Sequence, residues 1–144
     1  MQDECRNIYY NARRTAGLTQ ERWAEVLGIS VESVRLYESG ANMPSDGVVL
    51  RMAEVAGQQI ICYWHLLQKS KTAAALLPRV ERKPLPEAVC QLLHRLREFS
   101  DRHRDDDLLW ISANGKVDEG EQELVFAQIA DELDGIVQAA MQVK

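Results

Sequence analysis

The side chains that could carry out chemistry in this sequence are its three histidines, its three cysteines and one run of aspartates. Catalysis by a histidine needs a nucleophile or a carboxylate at a fitting spacing, and a metal site needs several grouped ligands. The histidines are scattered and lack such neighbours: they are His65, His94 and His103. We therefore expect packing or surface histidines and a protein that is not an enzyme.

The cysteines and aspartates are equally isolated. Cys5, Cys62 and Cys90 are odd in number and lack the paired spacing of a zinc site or a disulfide framework, so we expect free thiols. The aspartates at 105–107 are not followed by the central glycine and closing glutamate of a calcium loop, and we expect a solvated helix end there. The sequence therefore predicts no metal, no cofactor and no small-molecule ligand.

The charge distribution is not that of a strongly basic nucleic-acid binder. The 144 residues carry 17 Lys and Arg against 22 Asp and Glu, a formal net charge of −5, whereas attraction to phosphates favours a basic face. Through Lys71 the two signs balance at eight each, and the remaining nine against fourteen place the excess in the C-terminal half. The N-terminal half is neutral and can still present a local basic rim.

Hydropathy gives no indication of a membrane protein. No apolar run approaches the roughly 18 residues that a membrane span needs. The first residues also lack the apolar core of a signal peptide. We therefore expect a cytoplasmic protein that does not associate with membranes.

The stretch from Leu18 to Pro44 has the spacing of two short helices joined by a tight turn. Thr19 is placed to cap the first helix, Gly28 to end it and Ser30 to cap the second. Its apolar residues recur at helical spacing and give each helix an inner face. They are Trp23, Ala24, Leu27, Ile29, Val34 and Tyr37. The pattern predicts a helix-turn-helix.

Three further helices complete the N-terminal region. The first is predicted from Glu4 to Thr15, with Gly17 ending it. The fourth is predicted from Ser45 to Ala56, and a fifth over residues 60–67. We therefore expect a five-helix domain over residues 1–70.

The C-terminal half is predicted to be an amphipathic helical hairpin, which makes the whole chain all-α. Residues 71–86 are predicted to be a connector because prolines interrupt them, although Ala73 to Leu77 can extend the fifth helix. Two apolar stripes at helical spacing follow in 87–144, separated by a turn-rich segment with Asn114 and a capping Asp118. A lone hairpin buries little surface, so we expect it to pack on helix five, on a second copy, or on both.

The first 67 or so residues resemble the Cro and repressor helix-turn-helix regulators of phages and bacteria, often called the XRE family. The spacing is ungapped across Leu18 to Pro44. The matching residues are Gly17 to Gln20, Ala24, Leu27 to Ser30, Val34, Glu38, Gly40, Pro44, Met52, Ala53 and Gly57. The resemblance implies a transcriptional regulator that binds double-stranded DNA.

The resemblance also implies which residues read bases, since the helix over 30–38 enters the major groove in this family. It assigns the DNA-facing positions to Val31, Glu32, Ser33 and Leu36. A glutamate can accept from cytosine, a serine can donate or accept, and apolar side chains can contact a thymine methyl. Arg35 contributes if it leans outward to the backbone, and no other residue there suits bidentate reading of guanine or adenine. A scaffold with weakened DNA binding is the alternative.

Phosphate contacts and a structural ion pair are implied in the same way. The phosphate-binding residues would be Thr19, Gln20 and Arg22 on one side and Asn42, Met43 and Ser45 on the other. Gln20 would also brace the reading helix. Arg13 and Glu38 hold positions where the family commonly has an ion pair between helix one and the reading helix.

Two functions remain open from the sequence. In the first, the protein is a sequence-specific transcriptional regulator whose hairpin dimerises it, placing two reading helices about 34 Å apart on a palindromic site. In the second, the scaffold binds protein, as an antirepressor or a regulator subunit. The acidic balance and the apolar Val31 and Leu36 on the reading face favour the second.

Overall fold

The computed structural model describes residues 7–113, 115–117 and 119–144. Within these ranges the chain forms only helices and no strand. The helices are α1 (Ile8–Ala16), α2 (Gln20–Leu27), α3 (Val31–Ser39), α4 (Asp46–Ala56), α5 (Ile60–Lys69), α6 (Lys71–Leu76), α7 (Leu85–Asp101), α8 (Arg104–Ser112) and α9 (Glu121–Val143). The prediction of an all-α fold is confirmed. The helices group into two compact units, the first ending at Ala75 and the second running from Leu76 to Val143.

The first unit has a continuous apolar core. Trp23, Leu27 and Ile61 are completely buried at its centre, while Ile29 and Tyr37 pack against it from the edge. Burial of large apolar side chains contributes about 1.5–3 kcal/mol each. The residues predicted to face inward in the helix-turn-helix stretch all lie in or against this core.

The first helix begins at Ile8 and not at Glu4. Asn7 has an extended backbone with φ of −173°, and its side-chain oxygen accepts from the amides of Tyr9 and Tyr10. An asparagine in this geometry satisfies the free N–H groups of a helix start, so the helix begins immediately after it. Glu4 itself lies outside the described residues.

The prediction that Ala73 to Leu77 extend the fifth helix is wrong. Ser70 takes an extended conformation, with φ of −117° and ψ of 113°, and ends α5. Its hydroxyl then accepts from the amide of Ala73 at 3.2 Å. A side chain that caps the following residues starts a new helix, so α6 is separate and occupies the first part of the predicted connector.

In the second unit, α7 packs on α9, and α8 contacts both. Helix α7 begins at Leu85, because Pro86 lies in the first turn, where the missing N–H has no helical partner to lose. The expectation that only a turn-rich segment joins two helices is wrong, since α8 lies between them. Its first turn contains the aspartates 105–107, where the helix dipole favours carboxylates. Asn114 and Asp118 lie outside the described residues.

Candidate nucleic-acid interface

The turn between α2 and α3 is fixed by caps at both sides. Thr19 Oγ1 accepts from the amide of Arg22 at 3.2 Å at the start of α2, and Ser30 Oγ accepts from Ser33 at 3.0 Å at the start of α3. Gly28 ends α2 with a left-handed backbone at φ of 67°, which costs other residues more than glycine. The two helices therefore meet at a defined angle with only Gly28, Ile29 and Ser30 between them.

The outward face of α3 holds the residues that the resemblance assigns to base reading. Glu32 and Arg35 are exposed, and Ser33 and Leu36 are half-buried. Val31 is also half-buried and packs against the apolar core. The outward face of α3 therefore presents mainly one carboxylate, one guanidinium and one hydroxyl, with Leu36 at its edge.

The polar groups of this face already have weak local partners. Arg35 Nη1 lies 3.6 Å from Glu32 Oε2, and their side chains are 59% and 68% exposed. Ion pairs this exposed contribute about 0–1 kcal/mol, so exchange for a DNA partner costs little. Ser33 Oγ lies 2.8 Å from Ser30 Oγ, and either hydroxyl can be the donor. Ser33 can keep its bond to the cap and still offer its remaining hydrogen-bonding capacity outward.

The residues assigned to phosphate contacts lie in different settings. Asn42, Met43 and Ser45 are exposed in the segment between α3 and α4, and the hydroxyl of Ser45 accepts from Val48 at the start of α4. Arg22 is exposed and pairs with Glu25 at 2.5 Å. The hydroxyls of Thr19 and Ser45 thus serve as helix caps and remain open to solvent.

Glu38, at the last turn of α3, is the centre of a buried polar cluster. Arg13 of α1 donates to both carboxylate oxygens, from Nε at 2.5 Å and from Nη2 at 3.1 Å. Gln20 of α2 donates to Oε2 at 2.8 Å. One turn of α3 is therefore held by side chains of both preceding helices. We call Arg13, Gln20 and Glu38 the brace.

The surroundings of the brace keep Arg13 charged. The side chains of Arg13 and Glu38 are only 9% and 7% exposed. The hydrogen bond to Glu38 raises the pKa of Arg13 above its usual value, against the opposing effect of burial. Arg13 Nη1 also donates to the carbonyl of Leu18 at 2.9 Å. The bidentate geometry satisfies both charges, as burial of an ion pair requires.

Asn7 adds a further link that the sequence did not indicate. Besides capping α1, its Nδ2 donates to the carbonyl of Tyr37 at 2.6 Å. This carbonyl belongs to the last turn of α3 and also accepts from the amide of Gly40 at 3.2 Å. The spacing of Asn7 before an apolar helix could have indicated the cap, but not the contact with a residue thirty positions away.

Residues 11–59 match a family model described as a helix-turn-helix domain. The first unit carries a helix-turn-helix domain. The match supports a DNA-binding regulator. Separately, within the described residues no helix is both long enough and apolar enough to span a membrane. No curated protein and no solved structure matches the chain.

The match spans the whole of the brace, together with α2, α3 and α4. Asn7 lies outside it, as does α5. The matched residues therefore contain both the outward face of α3 and the three side chains of the brace.

One acidic residue of the helix-turn-helix domain lies at the start of α2. Glu21 lies in the first turn of α2, beside the predicted phosphate contacts of Thr19 and Gln20. Its own backbone N–H, followed by the hydroxyl of Thr19, lowers the pKa of its carboxyl group. The residue is negative at neutral pH, and it repels phosphates near this helix end.

A second polar chain ties α1, α5 and α4 together, and sequence reasoning missed it. Tyr9 Oη lies 2.8 Å from His65 Nδ1, and His65 Nε2 lies 3.0 Å from Asp46 Oδ1. Lys69 Nζ donates to the same oxygen at 2.6 Å. Burial raises the pKa of Tyr9, whereas hydrogen bonds from Lys69 and then His65 lower that of Asp46. Tyr9 and His65 are both buried, so this chain joins the three helices from inside the first unit.

Proposed function

We propose that this protein is a sequence-specific DNA-binding transcriptional regulator that reads the major groove with α3 and acts as a homodimer. The observation that carries the proposal is the brace. It fixes the end of α3 to α1 and α2, while the opposite face of α3 stays exposed. A reading helix needs this combination, because base contacts depend on a fixed position in the groove.

The brace makes the orientation of α3 costly to change. Three donor atoms meet one carboxylate at 2.5, 2.8 and 3.1 Å. Moving the end of α3 would separate two charges that are more than nine-tenths buried. Leaving one partner of such a pair alone costs about 3–5 kcal/mol. The outward residues of α3 are therefore presented in one arrangement.

The outward residues of α3, exposed or half-buried, define the chemistry of recognition. Glu32 can accept from the amino group of cytosine, and Arg35, once released from Glu32, can donate to a phosphate or to guanine. Ser33 can donate or accept, and Leu36 can contact a thymine methyl. The type of regulator suggested by the Cro and repressor resemblance is part of this proposal.

The affinity of one domain is expected to be modest. Glu21 and Glu32 are negative and exposed on the two helices of the motif, and the whole chain carries −5. Two linked domains raise the effective concentration of the second contact. A homodimer would therefore compensate for weak binding by each α3.

The test is selection of binding sites from random DNA, followed by fluorescence anisotropy across a salt series. Binding should weaken as salt rises, since counterions are released from phosphates. Glu32→Ala and Leu36→Ala should change the preferred bases, with losses of about 1–3 kcal/mol on the selected site. Glu54→Ala is the matched control, because it removes the same charge from α4 outside α2 and α3 and should leave base preference unchanged.

The second candidate is a protein-interaction module on the same scaffold, favoured by the apolar Leu36 and the negative Glu21 beside the motif. Binding that is insensitive to salt, with no base preference changed by Glu32→Ala, would overturn the DNA proposal. The same α3 variants should then disrupt a complex with a protein partner.

A further inference from the structure

Helices α7 and α9 each carry a second apolar stripe that nothing covers within the described residues. In α9 this stripe consists of Phe126, Leu133 and Val137, which are 41–43% exposed. In α7 it consists of Leu85, Val89, Leu93 and Leu96, which are 36–59% exposed. Both sets follow the three- and four-residue spacing of one helix face. We call these seven residues the outer face.

The two helices run antiparallel. As the chain advances along α7, the residues it contacts lie progressively closer to the N-terminus of α9. The backbone carbonyl of Arg79, just before α7, accepts from Gln138. Arg95 lies against Gly135, where an added Cβ would come within 2.5 Å of its Nη1. Arg102, just after α7, donates to Glu132 at 3.1 Å.

The antiparallel order places both outer stripes on the same side of the pair. Buried Ala88 in α7, and buried Ile129 and Ala139 in α9, mark the stripes that pack between the helices. At about 100° per residue, each outer stripe is rotated by roughly a quarter to a third of a turn from the packed stripe, in the same sense in both helices. Because the helices point in opposite directions, the same rotation turns both stripes to one face.

The size of the outer face fits a subunit interface. At the exposures given above, seven large apolar side chains leave on the order of 600 Å² of apolar surface, the upper end for a monomer. A standard interface buries about 800 Å² on each partner, including a polar rim. The outer face plus its bordering charges therefore approaches what a stable dimer needs.

The charges on α7 and α9 determine which helix of one copy can pack against which helix of the other. Helix α9 contains five acidic residues and no Lys or Arg, so α9 on α9 would bring like charges together. Helix α7 offers Arg97 beside its stripe, and within the described residues neither Arg97 nor Asp134 of α9 has an ion-pair partner. Arg95 is level with Gly135, and Arg97 lies about 3 Å further along the axis of α7. Because α9 runs the opposite way, this height is near that of Asp134.

We propose that the outer face binds a second copy of this chain, with α7 of each copy lying across α9 of the other. The two-fold axis runs parallel to the helices and preserves the levels along them, so Arg97 of one copy meets Asp134 of the other. This inference rests on the proposed function, because it names the surface through which that regulator forms its homodimer. The result is a four-helix bundle with antiparallel neighbours.

The first test is sedimentation velocity of the full chain, without DNA, across the micromolar range. The wild type should dimerise, and Leu133→Lys should raise the dimer dissociation constant by about tenfold or more. Leu124→Lys is the matched control, since Leu124 is in the same helix, is 62% exposed and lies off the outer face. It should change the constant by less than about twofold. A monomeric wild type, or equal effects of the two variants, would overturn the proposal.

The second test uses exposed charges, whose exchange does not disturb the apolar packing. Arg97→Asp and Asp134→Arg should each weaken the dimer by about three- to tenfold, and the double variant should restore it. Failure of the double variant to restore dimerisation would overturn the arrangement of α7 across α9. These assays contain no DNA and leave α3 intact. Loss of DNA binding with dimerisation unchanged would therefore contradict only the proposed function.

Discussion

The two units of this protein are stabilised in different ways. In the first unit, large side chains such as Trp23 and Leu27 are fully buried, and Arg13 and Glu38 pair inside the protein. In the α7–α9 pair of the second unit, fully buried positions include the small Ala88 and Ala139. Ile129 of α9 is fully buried as well, but the large apolar side chains of the outer face remain exposed.

The contrast indicates how far each unit covers its apolar surface with its own residues. Apolar burial is the main favourable term in folding, and the first unit has already buried Trp23, Leu27 and Ile61 completely. The second unit leaves apolar surface exposed on the outer face, and its ion pairs, such as Arg104 with Glu132 at 13% and 23% exposure, are less buried than the pair of Arg13 and Glu38. The first unit therefore covers its own apolar core, whereas the second leaves an apolar face that, on our proposal, a second copy covers.

The largest expected effect comes from breaking the brace. Glu38→Ala should lower the free energy of unfolding by about 3–5 kcal/mol, because Arg13 is left buried without its partner. The matched variant is Glu98→Ala in α7, where Glu98 pairs with Arg102 and the side chains are 46% and 52% exposed. It should cost less than about 1 kcal/mol. Urea denaturation followed by circular dichroism measures both.

Equal losses in the two variants would contradict this contrast between buried and exposed pairs. Glu38→Ala should also weaken binding to the selected DNA at temperatures where the domain stays folded. Intact DNA affinity in the folded variant would mean that the brace does not orient α3.

The sequence predicts the local features of the first unit because they depend on residues close together in the chain. The caps by Thr19 and Ser30 follow from residue type next to an apolar pattern. The left-handed turn at Gly28 follows from the conformational freedom of glycine. The pairing of Arg13 with Glu38 came from the family resemblance, since no spacing rule joins residues 25 positions apart.

What the sequence could not provide depends on tertiary contact or on unusual local geometry. The family resemblance indicated that Gln20 braces the reading helix but not that it bonds to Glu38, and the bond from Asn7 to Tyr37 forms only once the helices have packed. Helix α8 was missed because its start uses His103 in a left-handed conformation, at φ of 54°, which no residue preference indicates. The base-reading and phosphate-binding assignments remain predictions.

A smaller effect on stability is expected from one carboxylate in each unit, and it depends on pH. Hydrogen bonds from Lys69 and then His65 lower the pKa of Asp46, and a hydrogen bond from Arg104 does the same for Glu132. A carboxyl group with a lowered folded-state pKa stabilises the protein above its unfolded pKa, about 4, and loses this effect as pH falls through the folded value.

Asp46→Asn and Glu132→Gln should therefore each reduce the Tm at pH 7. The difference from wild type should shrink below about pH 4 and close once the wild-type carboxyl is protonated in the folded state. Thermal denaturation across an acid pH series measures this. A difference that stays constant to the lowest pH would show that carboxylate charge is not its cause.

The smallest expected effect concerns the centre of the first unit. Trp23 is fully buried, and its Nε1 has no hydrogen-bond partner within the described residues. Leaving a buried donor unsatisfied costs about 1–3 kcal/mol, so Trp23→Phe regains that amount while losing part of the ring packing. The net change should be within about 1 kcal/mol, close to that of Trp110→Phe at a position 48% exposed. A loss above about 2 kcal/mol for Trp23→Phe alone would show that the core of the first unit depends on the shape of the indole, and not only on its burial.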